Sequence, residues 1–404
     1  MSNSQSAAVA GSSNQQIDSL PSPESYRPVM WEIVFSQDCN LRCRYCVTGY
    51  GRMGGTAKFM LPEVWKPLSE RILQMSAGRK TVLLDFGIGE TFLHFDEAMR
   101  FLDYLRERAS GTEMKIEARI TTNGTLVTRK QLQTCLEKNI SLIFSIDGPA
   151  ALHDRYRIAA DGKTTHRRAL GNFKLYRSMV TGVANGPSCT VSSVVAGDAR
   201  LQDVSRFWRK LGVQQYKAIP VDRSRHVGCF PQQELMAIRN QYMDDLKQVA
   251  FAEAERLKGQ ELSQNYVGPM GILTSWMSML KSSPCRSCGA GYSVMCVDAN
   301  GALYPCQGFV GFPQYSIGSV SEGLIPEKLA HFRAARTQAE KACSSCWARF
   351  LCAVGCVAAD PRKGIALDTE TGCEIAKAHV EVAVNSFQMW SAHRKPNEEA
   401  KPQA

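Results

Sequence analysis

No run of about 18 consecutive apolar residues occurs in the chain, so no segment is expected to span a membrane. Residues Met1 to Ser22 are rich in Ser, Ala, Gln and Gly and lack the basic-then-apolar order of a secretory signal. They read as part of a disordered leader over residues 1–28, and the expected location is cytoplasmic. No block of Arg and Lys is interleaved with aromatic residues, which argues against a nucleic-acid partner. Histidine is absent before His94, so the first three cysteines have no nearby imidazole to complete a four-ligand zinc site.

Cysteine, by contrast, is abundant, with 15 in 404 residues. A secreted disulfide scaffold is normally shorter, and a reducing compartment with metal-bound thiolates suits this count better. The net charge of +10 reads either as plain solubility or as attraction for an acidic protein.

The spacing of apolar residues predicts alternating strands and helices. Strands are expected over Val29–Ser36, Thr81–Phe86, Lys115–Thr121, Ile140–Ile146, Cys189–Val195 and Gln214–Ile219. Helices are expected over Pro62–Ser76, Leu93–Ala109, Lys130–Lys138, Arg168–Met179 and Leu201–Leu211. About six βα units fit either an open partial barrel or a doubly wound sheet. Further helices are expected over Leu235–Lys258, near Met270–Leu280, and over Ala376–Phe387.

The first three cysteines, Cys39, Cys43 and Cys46, form a C-x3-C-x2-C run directly after the first strand. Three thiolates so spaced can hold three irons of a [4Fe–4S] cube and leave the fourth open to a small ligand. Gly87-Ile88-Gly89-Glu90 follows the second strand and Thr121-Thr122-Asn123-Gly124 the third. Ser145-Ile146-Asp147-Gly148-Pro149, with His153, Asp154, Arg155 and Arg157, follows the fourth. Each is weak alone, since glycine and Asn-Gly mark ordinary turns. Near the C-terminus Cys285 and Cys288 precede Gly301 and Cys306. Then come Cys343-x2-Cys346-x5-Cys352-x3-Cys356 and Cys373. Zinc ribbons also use such pairs. Cys135, Cys189, Cys229 and Cys296 stand outside these motifs and read as buried thiols.

Together these motifs resemble the radical SAM superfamily, and the C-terminal cysteines resemble its SPASM subgroup. The resemblance favours an α/β fold, a partial (β/α)6 TIM-like barrel, followed by a cysteine-rich SPASM domain with auxiliary iron–sulfur clusters. The implied domains are a radical SAM barrel over 29–230, a helical bridge over 231–280, a SPASM domain over 281–375, and a closing helix on the barrel with a loose tail over 376–404. The implied cofactors are S-adenosyl-L-methionine and three [4Fe–4S] clusters. Cys39, Cys43 and Cys46 would hold the first cluster. Cys288, Cys306 and Cys356, with Cys285 as a candidate fourth, would hold a second, and Cys343, Cys346, Cys352 and Cys373 the third.

By the same resemblance, Gly87, Gly89 and Glu90 stand for a Gly-Gly-Glu-Pro motif that holds the cofactor's ammonium. Ile88 and Thr91 depart from that motif. Tyr45 is expected near the adenine, Asn123 and Ser192 beside the cofactor, Ser145 on the ribose, and Arg157 on the methionyl carboxylate. No catalytic acid or base is named by the sequence. Asp85, Glu117 and Lys217 lie on expected strands, where facing the cavity and internal pairing are both open readings.

The implied chemistry is reductive cleavage of the sulfonium, followed by hydrogen abstraction by a 5′-deoxyadenosyl radical. Auxiliary clusters would carry off a second electron. The function this points to is oxidative modification or crosslinking of a ribosomal precursor peptide. Alternatives are sulfatase-maturase-like formylglycine formation, a small-molecule SPASM dehydrogenase, and a non-enzymatic iron–sulfur scaffold. Sulfatase maturases place an aspartate where this chain has Gln307, and their run after the third cysteine lacks the glycines of Gly49-Tyr50-Gly51. A flavodoxin- or ferredoxin-like electron donor is expected. The 28 residues before the first strand are too few for a leader-gripping winged helix. The leader peptide would therefore bind a separate protein, or the barrel and bridge directly.

Overall fold

The computed structural model describes residues 27–213, 216–221, 230–256, 288–349, 351–352, 355–369 and 372–391. The calls on the leader up to residue 26, the helix near Met270–Leu280, Cys229, Cys285 and the tail after 391 lie outside the described residues.

Six strands follow one another in space as they do in sequence, all parallel: β1 (Met30–Ile33), β2 (Thr81–Phe86), β3 (Lys115–Thr122), β4 (Ile140–Ser145), β5 (Cys189–Val195) and β6 (Tyr216–Pro220). Between them run α1 (Pro62–Met75), α2 (Phe95–Ala109), α3 (Arg129–Glu137), α4 (Ala150–Tyr156), α5 (His166–Val180) and α6 (Leu201–Lys210). Uninterrupted spatial order is that of a barrel wall, not of a doubly wound sheet, whose order reverses at a switch point.

Local chemistry sets these elements. Pro62 opens α1, where its missing N–H is no loss. Thr128 and Gln131 form a reciprocal capping box at α3. In β3 the side chains alternate strictly. Ile116, Ala118, Ile120 and Thr122 are buried under helices, while Glu117, Arg119 and Thr121 stay half-exposed on the other, inner face. β2 and β4 repeat the pattern. The covered face joins Trp31, Leu84, Phe86, Phe101, Phe144, Phe173 and Trp208 in one core.

The expected first strand is shorter than read. After Ile33 the chain turns toward the cysteines, and Ser36, Gln37 and Phe35 pair with residues 58–60. The short α4 was not foreseen, because seven residues carry too little periodicity.

The C-terminal region does not form a separate layer. Strand β7 (Val294–Val297) adds to β1 in parallel, with Glu32 facing Cys296. Antiparallel β8 (Ala302–Tyr304), β9 (Gly318–Ser319) and β10 (Gly323–Leu324) extend the same sheet to ten strands. The edge that β1 would expose is thereby covered.

Helix α7 (Gln232–Arg256) buries Ile238, Tyr242, Leu246 and Ala250 along one face. Its buried Asp245 accepts from Leu201 N at 2.9 Å and pairs with Arg200, capping α6. Helix α8 (Pro326–Glu340) follows β10. The last helix, α9 (Gly372–Ser391), is longer than expected and packs chiefly on α7, with Val382 joining the barrel's core. Tyr242 links the layers: its hydroxyl lies 2.9 Å from Ala218 O and 3.1 Å from His379 Nε2.

Candidate active site

Cys39, Cys43 and Cys46 lie half-buried in the loop leaving β1. The loop is pinned from behind: Arg42 N donates to Ile158 O at 2.7 Å and Arg44 N to Tyr156 O at 2.9 Å. The sulfurs meet amide donors, from Leu41 N to Cys39 at 3.4 Å, Asn123 Nδ2 to Cys39 at 3.6 Å, and Tyr50 N to Cys46 at 3.0 Å. Tyr50 adopts φ +63°, a left-handed conformation uncommon for a bulky residue, and its N–H serves this contact. Burial pushes the Cys39 thiol up to about 12 and the Cys43 thiol to about 11, each also raised by the neighbouring cysteines. Such thiols keep their protons until a metal displaces them. Among the described residues no three His, Cys, Asp or Glu side chains converge on a single ion; a cube distributes its thiolates over separate irons. Three adjacent sulfurs with N–H donors fit a cluster held at three corners.

Gly89 sits against this loop. Its φ is +68°, and a Cβ there would fall 1.8 Å from Ser36 O, so only glycine fits. Gly51 closes on it from the other side, a Cβ at Gly51 falling 2.7 Å from Gly89 Cα. Ile88 keeps φ out of the left-handed range and buries its side chain among Val34, Met53, Phe309 and Val310, so the departure from glycine serves the seam with the C-terminal region.

Glu90 caps the short helical turn Thr91–His94 that follows β2. It is fully buried, and its oxygens accept from Phe92 N at 3.2 Å, Thr122 Oγ1 at 2.9 Å and Asn123 N at 2.8 Å. Burial pushes its carboxyl up to about 7 against these donors. The side chain ties β2 to β3. Asn123 likewise binds inward, bridging Asn40 Oδ1 at 2.9 Å and Cys39, while its own Oδ1 accepts from Thr125. Asn40 and Thr125, which the sequence reading did not single out, complete that network.

Tyr45, Asp147 and Arg157 form a buried hub behind the cysteines. The Tyr45 hydroxyl donates to Asp147 Oδ2, Arg157 Nε donates to the same oxygen at 3.1 Å, and Val194 N donates to Oδ1 at 2.9 Å. The Arg157 guanidinium lies 5.4 Å from the Tyr45 ring centre. Its Nη atoms have no described partner, which leaves them for a carboxylate. His153 Nδ1 accepts from Asp147 N at 3.3 Å, and burial pushes the imidazole down to about 2, so it stays neutral. Asp154 caps α5 through Thr165 N and His166 N at 2.8 and 2.9 Å. Arg155 pairs with Asp198 instead.

On the inner face, Ser145 and Ser192 are register partners on β4 and β5, and Lys217 of β6 stands opposite Ser192. Neither serine hydroxyl has a partner among the described residues. Beside them, Glu32, Asp85 and Arg119 are register neighbours across β1, β2 and β3. Asp85 accepts from Arg119 Nε at 3.2 Å. Glu117 pairs with Lys115 at 2.7 Å. Gln307 N donates to Glu32 Oε2 at 2.5 Å, and burial pushes Glu32 up to about 7. Glu32 was missed by sequence reasoning; an acid inside an otherwise apolar strand was the available signal.

The C-terminal cysteines fall into two neighbourhoods. Cys306 is raised by Cys356 and Cys288, after burial and Glu32. Cys343 is raised by Cys373, Cys346 and Cys352, after burial. Cys135 and Cys296 are buried as expected, while Cys189 is half-buried.

Comparison with known proteins places this geometry. Residues 33–193 match the family model described as Radical SAM superfamily. Residues 33–193 form a radical SAM domain. A cysteine-type anaerobic sulfatase-maturating enzyme of Clostridium perfringens is 24% identical over 378 residues, covering 86% of this chain and 94% of the relative. The solved structure of native anSMEcpe with bound AdoMet matches at TM-score 0.72 and 21% identity, covering 91% of this chain and 100% of that one. Streptococcus suis SuiB bound to precursor peptide SuiA matches at TM-score 0.59 and 16% identity, covering 91% of this chain and 84% of that one. These likenesses agree with the partial barrel, and the chain is a radical SAM enzyme. Family membership implies S-adenosylmethionine and a [4Fe–4S] cluster. No described helix is long and apolar enough to cross a membrane.

Proposed function

We propose that the chain oxidatively modifies or crosslinks a residue of a ribosomal precursor peptide. The carrying observation is the seam between β1 and β7. There Gln307, next to Cys306, donates to Glu32 on the inner face, so the auxiliary cysteines adjoin the half-exposed wall of the barrel. Cys39, Cys43 and Cys46 would hold the first cluster, which with S-adenosylmethionine supplies a hydrogen-abstracting radical. Ser145, Ser192 and Arg157 would contact that cofactor through groups left without protein partners, and Gly87 and Gly89 through backbone. Glu90, Asn123 and Tyr45 hold these elements in place.

Two further clusters, on Cys288, Cys306 and Cys356 with Cys285, and on Cys343, Cys346, Cys352 and Cys373, would take the second electron. SuiB, of like fold, binds a precursor peptide. A flavodoxin- or ferredoxin-like protein would supply electrons, and the leader would bind directly or through a separate protein, in the cytoplasm.

Formylglycine formation is the second reading. It is favoured by the sulfatase-maturating relatives and by the Glu32 carboxylate beside Gln307, which offers an acid–base group where Gln307 itself has none.

Anaerobically reconstituted protein, S-adenosylmethionine and a strong reductant would be given, separately, a precursor peptide encoded beside the gene and a sulfatase peptide bearing Cys or Ser. Loss of two hydrogens from the precursor with matching 5′-deoxyadenosine supports the first reading. Aldehyde formation on the sulfatase peptide alone replaces it with the second.

A further inference from the structure

The charges on the inner face do not balance. Asp85 and Arg119 neutralise each other, and Glu117 is taken by Lys115. Glu32 is pushed up to about 7 by burial, toward its neutral form. Lys217 stands exposed on this face and makes no hydrogen bond or ion pair with any described residue. Its electrostatic neighbours offer no relief. Burial and Arg119 both lower its pKa, and His379, held down chiefly by burial, feels Lys217 as a further cation.

We propose that Lys217 anchors a carboxylate of the substrate, from an acidic side chain or the free C-terminus of a peptide. The proposal rests on the peptide-maturase reading. An exposed ammonium with no partner on the wall is open to an incoming anion. The chain supplies none among the described residues, so an incoming carboxylate gains a charge-assisted hydrogen bond there. The place also suits. Lys217 lies one strand from Ser192, which is opposite Ser145, so an anchored peptide lies against the wall where the cofactor is expected. The cofactor's own carboxylate has a different candidate in the Nη atoms of Arg157.

The test uses the full chain, reconstituted with clusters and S-adenosylmethionine, and a hexapeptide positional-scanning library. Each position carries Asp or Glu, Asn or Gln, or Lys, and each member has a free or amidated C-terminus. Retained peptides are read by mass spectrometry. Carboxylate members should be retained about tenfold over their amide counterparts. Lys217→Met should abolish that preference, and Lys217→Glu should turn it toward Lys members. A preference that survives C-terminal amidation assigns the carboxylate to a side chain; one that needs the free terminus assigns it there.

A carboxylate preference unchanged in Lys217→Met overturns the anchor. So does a matching loss of S-adenosylmethionine affinity in that variant without peptide, which would place the ammonium on the cofactor. Retention of peptides without any carboxylate preference removes the anchor and leaves the peptide reading standing. Retention of no peptide removes both.

Discussion

From β2 to β5 every second side chain is buried under a helix, whereas β8, β9 and β10 are two or three residues long. The barrel shares one large apolar core. The C-terminal region shares a small one, most of whose larger members sit at the seam, including Val34, Ile88, Phe309 and Phe332. Beyond it, Cys343, Cys346, Cys352 and Cys373 remain only partly covered. Buried Arg333 and Arg336 stack on Tyr292, at 4.9 and 5.1 Å, and donate to the carbonyls of Gly291 and Ala290, fixing the turn after Cys288. The first region therefore folds on hydrophobic burial. In the second, on the proposed reading, bound metal would supply the folding energy.

Matched cysteine substitutions are the sharpest way to break this contrast. Cys43→Ala should reduce reductive cleavage of S-adenosylmethionine to background while the barrel's thermal transition stays in place. Cys346→Ala should lose one cluster's iron and expose residues 341–373 to protease, with residues 30–220 still protected. Equal protease resistance in both variants and the parent would mean that the C-terminal region stands without its metal.

Asp147→Ala tests the opposite side, a barrel hub held by hydrogen bonds between protein groups. It removes the acceptor of Tyr45, Arg157 and Val194 and leaves a buried guanidinium uncompensated. The expected loss is about 3 to 5 kcal/mol, read by anaerobic calorimetry, with Asp147→Asn losing less. A loss under about 1 kcal/mol, within the range of surface changes, would show that the hub is not structural.

The barrel was legible because period-two burial and turn residues repeat over many elements, and β2 and β5 match the sequence reading at both ends. The C-terminal sheet extension was not legible, since strands of two or three residues carry no period. The cofactor-side residues were found by type, but their partners were not. Glu90 accepts from Asn123 N and Asn123 Nδ2 donates to Asn40 Oδ1, and such pairings exist only once the strands are side by side. Glu32 stayed hidden because its partner, Gln307, lies 275 positions away.

Glu32 also offers the subtlest test, because it sits on the seam between the two regions. Its carboxyl is raised from 4.5 to about 7, with burial the main cause. Below pH 4.5 both folded and unfolded states hold the proton, and the group is neutral toward stability. Between 4.5 and about 7 the unfolded chain ionises while the folded protein stays protonated, so stability falls as pH rises. Above about 7 the loss levels off at about 3 kcal/mol. Glu32→Gln removes this titration. Its stability relative to the parent should therefore rise by up to about 3 kcal/mol between pH 4.5 and 7.5. Glu90, also raised to about 7, titrates in both proteins and cancels from the difference. Parallel pH profiles would mean that Glu32 is already ionised in the folded protein, and the seam would then hold a charge that Arg119 must share with Asp85.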